Sequence, residues 1–170
     1  MAGACFVACG GNSPRPAGVA VSCPGTALPD GVYRFVVTVG GREDCVDVDS
    51  NDLSRVQHYF CNDSDTQQWT VRRQSSGCYT LFNGRTGNCL GLNWNVDGGL
   101  SFMSCSRGEP ALWHFDDVGG GQYHLTNGTQ MAAGNFVCLD QRSQEPDHGG
   151  RVQAWSCNDS VHQNFYVRRM

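Results

Sequence analysis

The sequence predicts an all-β domain built as a closed barrel of three pseudo-threefold repeats, and three observations predict it. A Gly-x-Tyr-x-(Phe/Leu) pattern recurs three times, its tyrosines 46 and 44 residues apart. Each copy carries two cysteines and, eight residues past the second, a large aromatic side chain. No stretch of 11 to 18 residues holds a helical period, whereas short β-branched and aromatic runs alternate with Gly, Asn and Asp turns.

The first repeat opens at Gly31-Val32-Tyr33-Arg34-Phe35, continues through Cys45-Val46-Asp47 to Cys61, and reaches Trp69. The second runs from Gly77-Cys78-Tyr79-Thr80-Leu81 through Cys89-Leu90-Gly91 and Cys105 to Trp113. The third runs from Gly121-Gln122-Tyr123-His124-Leu125 through Cys138-Leu139-Asp140 and Cys157 to Phe165. The gap between paired cysteines is 16, 16 and 19 residues. Strands are predicted at residues 33–39, 56–60, 68–71 and 164–167, with turns at Asn83-Gly84, Asp97-Gly98-Gly99 and Asn127-Gly128. Tyr33 and Phe35, two apart, share a strand face directed to the core. Trp69, Trp113 and Phe165 are predicted core residues. A unit of about 45 residues cannot bury its apolar face alone, so three must close on one another, which also removes the sheet edges.

Length and composition fit one domain, predicted over residues 29–170 with repeats at about 29–74, 75–118 and 119–170, preceded by an extension at 1–28. The net charge of −4 argues against a nucleic-acid partner and an anionic membrane surface. No run approaches a membrane span, and MAGACFVACGG lacks the basic start of a signal peptide. No metal, cofactor or enzymatic motif stands out; activated serines, paired carboxylates and phosphate loops are all missing. Sequons lie at Asn62, Asn127 and Asn158. His58, His114, His124 and His148 read as surface or half-buried bystanders.

Ten cysteines, an even and high count, point to an oxidising, extracellular location and a disulfide framework. The simplest pairing closes each repeat on itself: Cys45–Cys61, Cys89–Cys105 and Cys138–Cys157. Each bridge stabilises by roughly 3 kcal/mol in the chain-entropy model. Cys5, Cys9, Cys23 and Cys78 remain, with three connectivities open, or a zinc site as the rival reading. Cys78 neighbours the core-facing Tyr79, so it should point to the outer face and tether the N-terminal extension.

The recurring CVDV…VQHYFCNDSDTQQW, CLGL…LSFMSCSRGEPALW and CLDQ…VQAWSCNDSVHQNF resemble the ricin B-chain lectin family and the related xylan-binding modules, over residues 31 to about 168. The resemblance implies a β-trefoil of twelve strands with up to three shallow sugar pockets. Each uses an Asp after the first cysteine, a Gln and an aromatic before the second, and a polar pair ending in the Gln of Gln-x-Trp. A sugar has an apolar face that stacks on a ring, and hydroxyls that a carboxylate and amides can satisfy.

Carried onto this chain, the first pocket comprises Asp47, Gln57, Tyr59, Thr66 and Gln67, with Thr66 replacing an amide. The third comprises Asp140, Gln153, Trp155, His162 and Gln163, with a neutral His162 expected to donate one hydrogen bond. The second has Gly91, Ser101, Met103, Pro110 and Ala111, and is read as dead. Asp47 and Asp140 could merely cap turns, but in the second repeat the carboxylate vanishes together with the ring and the amides, which argues for ligand contact. Gln67 and Gln163 could instead bond backbone inside the turn.

The expected function is therefore a secreted, non-catalytic lectin for galactose- or GalNAc-type glycans of glycoproteins or glycolipids. The alternatives are a protease inhibitor acting through the Asp140–Arg151 loop or the extension, and a detached xylan-binding module.

Overall fold

The computed structural model describes residues 22–25, 27–128, 134 and 136–170. Cys5, Cys9 and most of the extension lie outside the described residues. Among the described residues, twelve strands fall in three groups of four. They are β1 (Gly31–Val39), β2 (Arg42–Val48), β3 (Val56–Phe60) and β4 (Trp69–Arg73); β5 (Tyr79–Asn83), β6 (Asn88–Leu92), β7 (Leu100–Met103) and β8 (Trp113–Gly119); and β9 (Gln122–Asn127), β10 (Val137–Gln141), β11 (Val152–Ser156) and β12 (Phe165–Arg169). Short 3-10 turns occupy 65–67, 105–107, 109–111 and 161–163.

All the strand pairs are antiparallel. β1 pairs β4, β4 pairs β5, β5 pairs β8, β8 pairs β9, β9 pairs β12, and β12 returns to β1, closing a six-stranded barrel. The hairpins β2–β3, β6–β7 and β10–β11 cover one end of it. The architecture is a β-trefoil. The turn from β1 into β2 is two residues long, and Gly40 and Gly41 both take positive φ (58° and 82°), as a hairpin matching the strand twist requires.

The repeat signature fills the barrel. Phe35, Leu81 and Leu125 are wholly buried, as are Trp69, Trp113 and Phe165. The two indoles also tie barrel to hairpins: Trp69 Nε1 donates to the Val46 carbonyl at 3.1 Å and Trp113 Nε1 to that of Leu90 at 2.8 Å. Phe165 has no such donor, and its repeat lacks this link.

Disulfides join Cys45–Cys61, Cys89–Cys105 and Cys138–Cys157, each within one repeat. A fourth, Cys23–Cys78, anchors the N-terminal segment. It removes the four-cysteine zinc reading, since a disulfide sulfur is no thiolate ligand. Cys78 lies apart from the main core that holds Tyr79, on the opposite side of the strand as expected, and is buried there with Cys23 against Leu112. The segment is held further by Tyr79, whose hydroxyl accepts from Leu28 N at 2.7 Å, and by Tyr33, whose hydroxyl donates to the Pro29 carbonyl at 2.7 Å.

Two expectations need correction. His58 and His114 are buried, and each ring finds a carboxylate: the buried Asp44 for His58 at 2.8 Å, the partly exposed Asp116 for His114 at 2.8 Å. The sequon residue Asn127 is fully buried and its amide donates to the Pro110 carbonyl at 3.1 Å, so the folded chain does not present it for glycosylation.

Candidate functional site

Each hairpin sets its residues by register. Across β2 and β3, Asp47 faces Gln57 and Cys45 faces Tyr59. Across β10 and β11, Asp140 faces Gln153 and Cys138 faces Trp155. Because side chains two apart on a strand share a face, each hairpin presents a carboxylate, an amide and a ring on one side. Across β6 and β7 the equivalent pairs are Gly91 with Ser101 and Cys89 with Met103.

In the first repeat these residues line an open hollow of about 480 Å³ together with Asp49, Asn62, Ser64, Asp65, Thr66 and Arg85. Asp47 is nearly buried at its base. Gln57 Nε2 donates to its Oδ1 at 3.0 Å, while Gln67 Nε2 (2.8 Å) and the Thr66 hydroxyl (3.1 Å) donate to Oδ2. The Thr66 hydroxyl therefore binds the carboxylate where an amide donor to ligand was expected to be missing. Tyr59, 37% exposed, offers its ring to solvent at the edge.

The third repeat has a hollow of about 510 Å³ lined by Asp140, Gln153, Trp155, Asn158, Ser160 and His162, with residues 141–145 as a further wall. Gln153 Nε2 and Gln163 Nε2 each donate to Asp140 at 3.0 Å, one to each oxygen. Trp155 is 57% exposed, a broad apolar face beside the carboxylate. His162 Nδ1 donates to Gln141 Oε1 at 2.7 Å, so the hydrogen bond expected for a ligand goes to the protein.

Gln67 and Gln163 are placed behind the carboxylates and are fully buried. Each also donates to a backbone carbonyl, of Phe60 or Ser156, and accepts from the amide of Asn62 or Asn158 at 2.8 Å. Their role is to hold the Asp and the turn together; they do not line either hollow.

The second repeat keeps a smaller hollow of about 360 Å³, lined by Asn93, Asn95, Ser101, Met103, Arg107 and Pro110, but it holds no carboxylate. A Cβ on Gly91 would sit 2.6 Å from Met103 Sδ and 2.7 Å from the Pro110 carbonyl. Met103 fills the space in which a carboxylate would stand.

Sequence reasoning missed the wall at 141–145. Arg142 Nε donates to Gln153 Oε1 at 2.9 Å, and its guanidinium also meets Glu145 (3.1 Å) and Asp97 (3.3 Å). Burial pushes the Glu145 carboxyl up, but the Arg151 amide and the Arg142 guanidinium outweigh it and hold it below its ordinary value. Burial likewise pulls the Arg142 guanidinium down, and its bonds to Glu145 and Asp97 more than restore it. The signal available was the longer cysteine gap of the third repeat.

A trefoil barrel with two hollows, each holding a braced carboxylate beside an exposed ring, defines a class of small three-lobed binding modules. A model of the ricin-type β-trefoil lectin domain-like family matches residues 25–102 and 65–131, and the chain belongs to that family. Membership supports carbohydrate binding as the activity. No curated protein matches the chain in sequence. Among solved structures it resembles a ricin B-like lectin of Macrolepiota procera in complex with lactose (TM-score 0.67, 21% identity), covering 85% of this chain and 100% of that one. The Rhizoctonia solani agglutinin is similar (TM-score 0.65, 17% identity, 86% and 100% covered), as is the designed threefold-symmetric ThreeFoil (0.70, 24%, 83% and 100%). A mosquitocidal holotoxin also contains the fold (0.69, 18% identity), but there 85% of this chain corresponds to 18% of the toxin chain.

Proposed function

We propose that the protein is a non-catalytic, extracellular lectin that binds galactose- or GalNAc-type glycans of glycoproteins or glycolipids through the first and third hollows. The single observation that carries this is the twin arrangement of a braced Asp and an exposed ring, at Asp47–Tyr59 and Asp140–Trp155. Each carboxylate has two donors or more fixed on it by the protein and lies at the base of an open hollow. The lone pairs left over, one on Asp47 and two on Asp140, can accept sugar hydroxyls in charge-assisted bonds, while the ring covers the apolar face of the sugar. Four disulfides fit an oxidising exterior.

On this reading, residues 29–170 are the binding domain, with repeats at about 29–74, 75–118 and 119–170, and residues 1–28 are an extension. Each shallow site binds weakly, with a Kd on the order of 1 mM to tens of µM, and two sites on a multivalent surface gain avidity. The protease-inhibitor alternative gains nothing from the Asp140–Arg151 loop, whose residues 140–145 line the third hollow.

A glycan array comparing the wild type with Asp47→Ala, Asp140→Ala and the double variant tests the proposal, with thermal unfolding as a control. Each single variant should weaken multivalent binding and the double variant should abolish it. Undiminished binding by a folded double variant would overturn it.

A further inference from the structure

The threefold pattern is broken in two places. The cysteine gap of the third repeat is three residues longer than the other two, and the extra residues enlarge the β10–β11 loop. In the first repeat, β3 carries His58 where β7 has Phe102 and β11 has Ala154, each facing the equivalent apolar residue of its hairpin partner. These two departures meet. His58 N donates to the Gly150 carbonyl at 2.9 Å, and Gly149 N donates back to the His58 carbonyl at 2.8 Å. A β-bridge joins Gln57 to Arg151, and Arg55 Nη2 donates to the Gly149 carbonyl at 2.6 Å.

The side chains continue the link. His58 is wholly buried, with Nδ1 2.8 Å from Asp44 Oδ2 and Nε2 2.9 Å from the Glu145 carbonyl. Both partners are acceptors, and Gln141 Nε2 lies 3.4 Å from the same His58 Nε2. Arg42 (3.3 Å) and His148 (3.2 Å) also face Asp44, which is wholly buried. On the loop side, the buried Gln141 amide donates to the Arg142 carbonyl at 2.6 Å and the Glu145 carbonyl at 3.3 Å, while its oxygen accepts from His162. A continuous path of polar contacts therefore runs from Asp44 in the first repeat to His162 at the third hollow. Gly150 has no room for a side chain: a Cβ there would collide with the Glu145 carbonyl and the His58 ring.

The geometry points to His58 as a positioning residue of the third hollow: with Asp44 it seats the loop from Arg142 to Gly150 from the neighbouring repeat, and so fixes the wall formed by Gln141, Arg142 and Glu145. The first hollow is walled instead by Asp49, Ser50 and Asn51 of the shorter β2–β3 loop. This rests on the reading of both hollows as sugar sites.

Two backgrounds separate the hollows: Asp47→Ala leaves the third to be measured, and Asp140→Ala leaves the first. Lactose is titrated into each by calorimetry, with and without His58→Asn or His58→Gln. Asn keeps a donor for Asp44 but falls short of Glu145, whereas the Gln amide reaches the Nε2 position. The expected result is at least a tenfold loss at the third hollow for His58→Asn, less than a twofold change at the first, and recovery of most of the loss by His58→Gln. Equal losses at both hollows, or no advantage of Gln over Asn, would overturn the inference.

Hydrogen exchange supplies a sugar-free readout. His58→Asn should strip protection from the Glu145, Gly150 and Arg151 amides and leave those of Asp49 and Asp52 unchanged. Unchanged protection of the loop refutes the positioning role, and absence of lactose binding in both backgrounds counts against the sugar reading alone. Should the Asn variant fail to fold, Gly150→Ala breaks the same contact from the loop, and the same split between hollows is required.

Discussion

Asp140 and Gln153 face each other across β10 and β11, and the Gln153 amide holds Asp140 Oδ1 at 3.0 Å, as Gln57 holds Asp47 Oδ1 at 3.0 Å in the first repeat. In the second repeat Gly91 and Ser101 occupy that cross-strand pair. Duplication with one copy stripped of its carboxylate and amide is the organising feature of the binding face.

Restoring the carboxylate alone should not restore binding at the second repeat. Gly91→Asp drives a side chain into Met103 and the Pro110 carbonyl, and overpacking of this kind costs about 1–3 kcal/mol. Denaturant unfolding should show that loss, with no new binding on a glycan array in the Asp47→Ala/Asp140→Ala background. Adding Met103→Ala should recover part of the stability.

Trp113→Phe isolates the tie between barrel and hairpin. The ring volume is largely kept, but the Leu90 carbonyl loses the Nε1 donor held at 2.8 Å. An unsatisfied buried acceptor, together with the lost packing of the larger ring, should lower stability by about 1–3 kcal/mol. Trp69→Phe should behave alike, while Phe165→Leu, which breaks no hydrogen bond, reports packing alone. Urea unfolding of the three variants checks the difference.

Acid should loosen the loop at the third hollow. The Glu145 carboxyl is held below its ordinary value, so the folded state prefers it ionised. A carboxylate of this kind contributes stability that is fully present above its unfolded value near 4.3 and is lost as pH falls through that value and below it. Unfolding measured from pH 7 to pH 3 should fall less steeply in Glu145→Gln than in the wild type. Identical slopes would show that Glu145 is uncoupled from folding. Glu43, lowered by its hydrogen bond to Arg168, contributes with the same sign, though its exposure leaves it screened.

The Cys23–Cys78 bridge spans 55 residues of chain, more than any within-repeat disulfide. In the chain-entropy model its removal costs roughly 4 kcal/mol. Cys23→Ala/Cys78→Ala should therefore lower the unfolding midpoint more than Cys89→Ala/Cys105→Ala, which opens a 16-residue loop. Thermal melts without reductant decide the order.

By itself the sequence determined the strand pattern, the three-part closure and the within-repeat cysteine spacing, because these depend on local periodicity and on residues recurring at equal intervals. Tyr33, Phe35, Trp69 and their counterparts were legible as core for that reason. The Asp, Gln and ring triplets were legible through their resemblance to a family, which names residue types but not their partners. Only the tertiary structure decided that Gln67 and Gln163 stand behind the carboxylates, that Met103 takes the space beside Gly91, and that His58 lies buried against a loop 87 residues further on, at Glu145. Those outcomes depend on which side chains from distant segments compete for one volume or one hydrogen bond, and closure of the barrel brings such segments together without leaving a periodic trace along the chain.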